Sequence, residues 1–118
     1  MLPLKNRLTK RKDFENVIRK GKGRFFENIG LKFLKNGLEN TRIGFIIGLK
    51  FSKKAVARNE MRRFLRETIK RYIYQIERGY DILILARKKD KERINKEKIK
   101  IEIEQLLIIE KLINKRNN

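Results

Sequence analysis

The sequence predicts an α/β chain of the α+β sandwich kind, with a small mixed four-stranded sheet packed against three helices. Three observations predict it. Residues 28–35 and 42–50 carry apolar side chains at strand spacing, residues 52–77 carry them at helical spacing, and residues 80–87 hold an unbroken apolar run. The element order is helix, strand, strand, helix, strand, helix, with a short extra strand near residues 22–27.

The first helix covers residues 10–20, where Phe14, Val17 and Ile18 share a face at i, i+3 and i+4. Thr9 is its expected N-cap and Gly21 its C′ residue. Ile29, Leu31 and Phe33 then alternate with Gly30, Lys32 and Leu34, which makes residues 28–35 a strand. Asn36-Gly37 opens a turn, and a hairpin through residues 36–41 is the economical pairing with the second strand, residues 42–50. Gly44 and Gly48 inside that strand suggest a bulge or a close approach by another element.

Residues 52–77 have the clearest periodicity. Met61, Phe64, Leu65, Thr68, Ile69, Tyr72, Ile73 and Ile76 fall on one side of a helix; Asn59, Arg63, Arg66 and Lys70 lie opposite, with Arg62 on the border. Ser52 is the expected N-cap and Gly79 closes the segment. Residues 80–87 lack a polar face and read as a central strand buried on both sides. A strand, a helix and then a buried strand imply a crossover and a parallel pair. Residues 93–113 are more ambiguous. Ile99, Ile103, Leu106, Leu107 and Ile113 form a helical stripe, yet residues 98–104 also alternate like a strand. Length favours helix, which leaves Ile101, Ile108 and Leu112 either exposed or capping another part of the core.

Composition narrows the function. Of 118 residues, 33 are Lys or Arg against 14 acids, a formal charge of +19 whose self-repulsion favours a polyanionic partner. Nucleic acid is the first candidate, through counterion release, and an anionic membrane surface the second. No apolar run approaches the roughly 20 residues that span a bilayer. The absence of Cys and His removes thiol chemistry, disulfides and the commonest general base and metal ligand. A nuclease would then need clustered carboxylates around magnesium, but aspartate occurs only at Asp13, Asp81 and Asp90, in three different elements. The chain is expected to bind and not to cut, as one RNA-binding domain over residues 1–118 with frayed ends at 1–7 and 114–118.

The basic helix has a bland reading, a solvated cationic face. Against it stand a polar face nearly all Arg, with few acids for i, i+4 pairing, and the planar guanidinium fork that suits phosphate. The run Lys53-Lys54-Ala55-Val56-Ala57-Arg58-Asn59-Glu60-Met61-Arg62-Arg63-Phe64-Leu65-Arg66-Glu67 resembles the signature helix of the protein subunit of bacterial ribonuclease P. Arg7-Leu8 with Asp13-Phe14 and Val17 resembles the opening of that family, Ile43-Gly44 its second strand, and residues 79–87 the strand after the signature. The resemblance covers nearly the whole chain in order. One position departs: the family usually has Arg or Lys where this chain has Glu60, which could pair with Arg63 or touch RNA through a magnesium ion.

The resemblance implies a function, partners and sites. A large RNA would be the catalyst, removing the 5′ leader of precursor tRNA with Mg2+ held mainly by RNA and substrate. This chain, one per RNA and cytoplasmic, would hold no catalytic residues. Its RNA-facing set would be Lys53, Lys54, Arg58, Asn59, Arg62, Arg63 and Arg66. The leader cleft would include Phe14, Ile18 and Lys32, with Arg11 and Lys50 as nearby cations. For Phe14, core packing is as good a reading as base stacking, and for Ile18 and Lys32 a structural role is the stronger one. The resemblance also implies a left-handed crossover, which general handedness rules would not suggest. A general RNA-binding protein, a standalone nuclease and a membrane-surface binder are the alternatives, the last disfavoured because the apolar stripe of residues 52–77 is needed for the core.

Overall fold

In the computed structural model, which describes residues 2–87 and 94–113, the chain runs through a 3-10 turn (Leu4–Asn6), α1 (Arg11–Lys20), β1 (Lys22–Phe25), β2 (Ile29–Lys35), β3 (Arg42–Ile47), α2 (Ala55–Lys70), β4 (Tyr80–Ala86) and α3 (Lys96–Ile109). Met1, Asp90, Arg93 and residues 114–118, used in the sequence reading, lie outside the described residues.

An apolar run with no polar face is stable only where both sides are covered, and β4 takes that place. The sheet order is β1-β2-β4-β3, with β1/β2 and β2/β4 antiparallel and β3/β4 parallel. Ile82 and Ile84 point to one core and Leu83 to another. The expected hairpin between residues 28–35 and 42–50 does not form, because β4 lies between them. Residues 36–41 instead clasp the start of β4: Asn36 N–H donates to the Gly79 carbonyl, and the Thr41 hydroxyl donates to the Glu77 carbonyl and accepts from Tyr80 N–H. Gly79, at φ +83°, makes the sharp approach that a side chain would obstruct. The hairpin in the sheet is β1/β2.

The two cores sit on opposite faces of the sheet. On one, Met61, Leu65 and Ile69 of α2 and Ile99, Ile103, Leu106 and Leu107 of α3 bury Ile29, Leu31, Ile43, Ile82 and Ile84. On the other, Val17 of α1 packs on Leu8 and Leu83, with Phe14 and Leu85 alongside. At about 25 cal/mol per Å² of apolar surface, this double burial is the main stabilising term.

Several boundaries differ from expectation. α2 ends at Lys70, and residues 71–73 continue by tighter i to i−3 hydrogen bonds. Ile73 and Ile76 stay buried through these turns, so apolar spacing alone could not locate the helix end. Burial, then the charge of Glu104, pushes the Tyr72 phenol above its ordinary pKa. β3 stops at Ile47, where residues 48–51 turn, and Gly48 has open space around it. Neither Thr9 nor Ser52 caps a helix; the N-cap positions are Lys10 and Lys54, without side-chain caps. Gly21 follows α1 in an extended conformation, not a left-handed one. Residues 98–104 are helical, Asn95 capping through Lys98 N–H. Ile101 is exposed, Ile108 packs at the core margin and Leu112 is buried.

Residues 2–7, expected to be frayed, are tied down. Leu2 is buried, Asn6 donates to the Thr41 carbonyl, and Arg7 bridges Ile43 in parallel. The buried carboxylate of Glu102 accepts from Asn28 N–H at 3.0 Å, Asn28 Nδ2 at 2.7 Å and Ile29 N–H at 3.2 Å, fixing α3 to the β1/β2 turn.

One ionic cluster joins three elements. Arg42 of β3 donates to both carboxylate oxygens of Asp81 on β4, at 2.8 and 2.7 Å, and lies 3.3 Å from Asp13 of α1. Asn36 also donates to Asp81. The hydrogen bonds that Arg42 donates to Asp81 raise its pKa above the ordinary value despite burial. Removing one partner of a largely desolvated pair strands the other charge. Arg42→Ala is expected to cost about 2–4 kcal/mol in denaturant unfolding, less than the full buried-pair penalty because Arg42 retains some solvent; Arg42→Lys, which loses the two-pronged geometry, recovers only part.

Candidate nucleic-acid interface

The register of α2 against the sheet decides which of its cations reach solvent. Met61, Leu65, Thr68 and Ile69 are buried, so Asn59 and Arg63 are turned outward, and Arg62 and Arg66 flank the buried stripe half-covered. Lys53 and Lys54 stand exposed in the turn before the helix. Among the described residues, none of Lys53, Lys54, Arg63 and Arg66 forms an ion pair. A cationic face without internal neutralisation is suited to phosphate.

Two of the expected contacts already have partners. Arg58 is half-buried and donates from Nη1 to the Ser52 carbonyl at 2.9 Å, holding the turn onto the helix. Arg62 donates to Asn59 Oδ1 at 2.9 Å, which occupies that acceptor and leaves the Asn59 amide as a donor. Glu60 is exposed, and the pair with Arg63 allowed by its spacing is not formed.

The residues assigned to a leader cleft do not gather in one place. Phe14 packs over β3, where a Cβ on Gly44 would stand 2.6 Å from its ring, so the glycine there serves close approach. A cavity of about 240 Å³ opens beside it, and its lining brings Phe14 together with Arg62 and Arg66 of α2. Ile18 is exposed, and Lys32 donates from Nζ to the Ile18 carbonyl at 2.6 Å. That bond places a cation at the helix C-terminus, where the backbone dipole favours it. Arg11 is exposed and pairs with Glu15, and Lys50 is exposed in the turn after β3. Beyond α1, Phe25 is half-exposed with the Arg87 guanidinium 5.6 Å from its ring centre.

The sequence reading gave no site role to Arg7, which it used only for the family resemblance, or to Phe45 in the Phe14 cavity, and did not find the Phe25–Arg87 pair. Their grouping depends on which strand neighbours which, and the hairpin expectation had that wrong. Asp81 is committed to Arg42 and Asn36, and no cluster of three acids that could hold a metal ion occurs among the described residues. No helix of the described residues is long and apolar enough to cross a membrane.

The profile of the family described as Ribonuclease P matches residues 2–110. The chain belongs to the ribonuclease P protein family. It is similar to the ribonuclease P protein component of Thermotoga maritima, 35% identical over 93% of this chain and 88% of that one. The component from Fusobacterium nucleatum is 42% identical over 80% of this chain and 85% of that one. Solved structures agree: the RNase P protein of Thermotoga maritima in complex with 1-(4-fluorophenyl)-2-thiourea superposes with TM-score 0.76 at 35% identity, covering 86% of this chain and 96% of that one. The RNase P protein of Staphylococcus aureus gives 0.81 at 27% identity, covering 92% and 98%. Family membership makes the chain a protein component of an endoribonuclease ribonucleoprotein in tRNA processing, with RNA as its partner.

The Gly44–Phe14 approach is open to direct test. Gly44→Ala should force the Phe14 ring off the strand and cost about 1–3 kcal/mol as overpacking, read as displaced Phe14 ring resonances and a lowered unfolding midpoint.

Proposed function

We propose that the chain docks on the catalytic RNA of ribonuclease P through the outer face of α2 and receives the 5′ leader of precursor tRNA on the α1 side of the sheet. The observation that supports this most is the division of α2 into a buried apolar stripe and an outer row of cations without carboxylate partners. Lys53, Lys54, Arg63 and Arg66 take phosphates, and the Asn59 amide is a donor for a sugar or base edge. Arg58 and Arg62 contribute with the guanidinium nitrogens that the fold leaves over.

On the α1 side, Phe14 and Ile18 offer apolar contact to unpaired bases, and Lys32, Arg11 and Lys50 supply positive potential. The single-stranded leader is then what distinguishes precursor from mature tRNA. The described residues do not fit a protein-held magnesium site, since Asp81 and Asp13 converge on the Arg42 guanidinium and no three acids gather elsewhere among them. On this reading Mg2+ is held mainly by RNA and substrate, hydrolysis is catalysed by the RNA in the cytoplasm, and the protein contributes binding and discrimination, one copy per RNA.

Reconstitution tests the reading. Purified chain added to a ribonuclease P RNA at low magnesium should restore cleavage of precursor tRNA at the 5′ end; no stimulation would sink the proposal. Arg63→Ala should weaken assembly roughly tenfold, as loss of one charge-assisted contact, and flatten the salt slope by about 0.7–0.9. Arg58→Ala should weaken it too, with some loss of stability because Arg58 also holds Ser52.

A further inference from the structure

At the end of the sheet where β2 finishes and β4 begins, a cavity of about 340 Å³ has a floor of Phe33, Leu34 and Tyr80 and a rim of Lys20, Lys22 and Lys35. None of the residues assigned above to RNA or leader contact lines it. The position follows from the register. Lys35 faces Tyr80 across β2/β4, Lys22 faces Phe33 across β1/β2, and Lys20 closes α1.

Its chemistry is mixed in a specific way. Phe33 and Tyr80 pack edge to face, with centroids 5.8 Å apart at 69°, so the ring that presents its edge keeps its own faces free of its partner. Both rings are half-buried, and the three lysines are exposed and unpaired among the described residues. Three ammonium groups around an apolar aromatic floor match a ligand that is flat and apolar at its centre and anionic on both sides. A nucleotide within a single strand has that form, with base–aromatic contact in the middle and phosphates flanking. The volume lies at the lower end of small-ligand sites, which suits one nucleotide.

The location matters as much as the chemistry. α2 packs on β3 at one edge of the sheet, whereas this cavity lies by β1 and β2 at the other. RNA docked on α2 would leave it open.

We propose that this cavity is a second single-strand RNA site, with Phe33 and Tyr80 receiving a base and Lys20, Lys22 and Lys35 its flanking phosphates. The site rests on the reading of the chain as an RNA-binding protein, but it is separate from the α2 surface and from the Phe14 region. Its test uses the full chain and hexauridylate, a strand that cannot pair with itself, followed by amide chemical shifts across a salt series. The expected result is perturbation at Lys22, Lys35 and Tyr80. The variant Lys20→Ala/Lys22→Ala/Lys35→Ala should bind the probe several-fold more weakly, with a salt slope flatter by about 2, at roughly 0.7 per lost contact.

An abasic hexamer with the same phosphates should bind the wild-type chain more weakly and lose the Tyr80 shift. Arg63→Ala should leave the perturbations at the cavity in place. Shifts confined to α1 and α2 with unchanged affinity in the triple variant overturn the site. Equal binding of the abasic strand overturns the base-receiving role. A triple variant that still supports precursor cleavage with catalytic RNA, while hexauridylate never perturbs the cavity, refutes this site and leaves the proposed function standing. Failure of reconstitution by the wild-type chain would count against the function instead.

Discussion

Double burial of β4 is the constraint from which the rest of the structure follows. Residues 82–85 have no polar face to give to water, so the strand needs a neighbour on each edge and a layer on each side. β2 and β3 supply the edges, while α1 on one side and α2 with α3 on the other supply the layers. Once β4 is central, Asn59 and Arg63 of α2 face away from α1, while Arg62 and Arg66 line the cavity that Phe14 of α1 also lines. The arrangement thus sets the buried stripe of α2 and α1 on opposite faces of the sheet and brings the two helices together only at the Phe14 cavity, among the described residues.

The ionic cluster of Arg42, Asp81 and Asp13 gives that division its alignment. Hydrophobic burial is non-directional and would tolerate some sliding of α1 over the sheet. A guanidinium held by both oxygens of one carboxylate and reaching a second on α1 restricts it. The same cluster occupies Asp81, the one acid within the four strands, with guanidinium and amide donors. Arg58 and Lys32 show a related economy, each placing one donor on a backbone carbonyl of its own fold.

Much of this was legible in the sequence where one periodicity decided the matter. Burial of Met61, Leu65 and Ile69, the outward placement of Asn59 and Arg63, and the central position of residues 80–86 all follow from side-chain spacing. Pairing was not legible, because alternation in β2 and β3 says which face each strand buries and nothing about who lies beside it. Asn36 and Thr41 clasp β4 by hydrogen bonds that no local pattern announces. Glu102 lies in an alternating stretch where no local pattern singles it out, yet it accepts from two backbone amides of a turn 73 and 74 residues away. Residue resemblance named the family correctly, and it located candidate contacts without showing that Phe14 shares a cavity with Arg62 and Arg66.

The central proposal is that the chain meets RNA on two surfaces, the outer row of α2 for the catalytic RNA and the α1 side of the sheet for the substrate leader, which adjoin at the Phe14 cavity. Because the chain has no cysteine, a hydroxyl-radical source can be tethered at a single introduced one, at Asn59→Cys on α2 or Ile18→Cys on α1, in the assembled ribonucleoprotein with precursor tRNA. The account predicts strand scission in the ribonuclease P RNA from position 59 and in the precursor leader from position 18. Leader scission from position 59 with none from position 18, or scission of the same RNA segment from both, would contradict it.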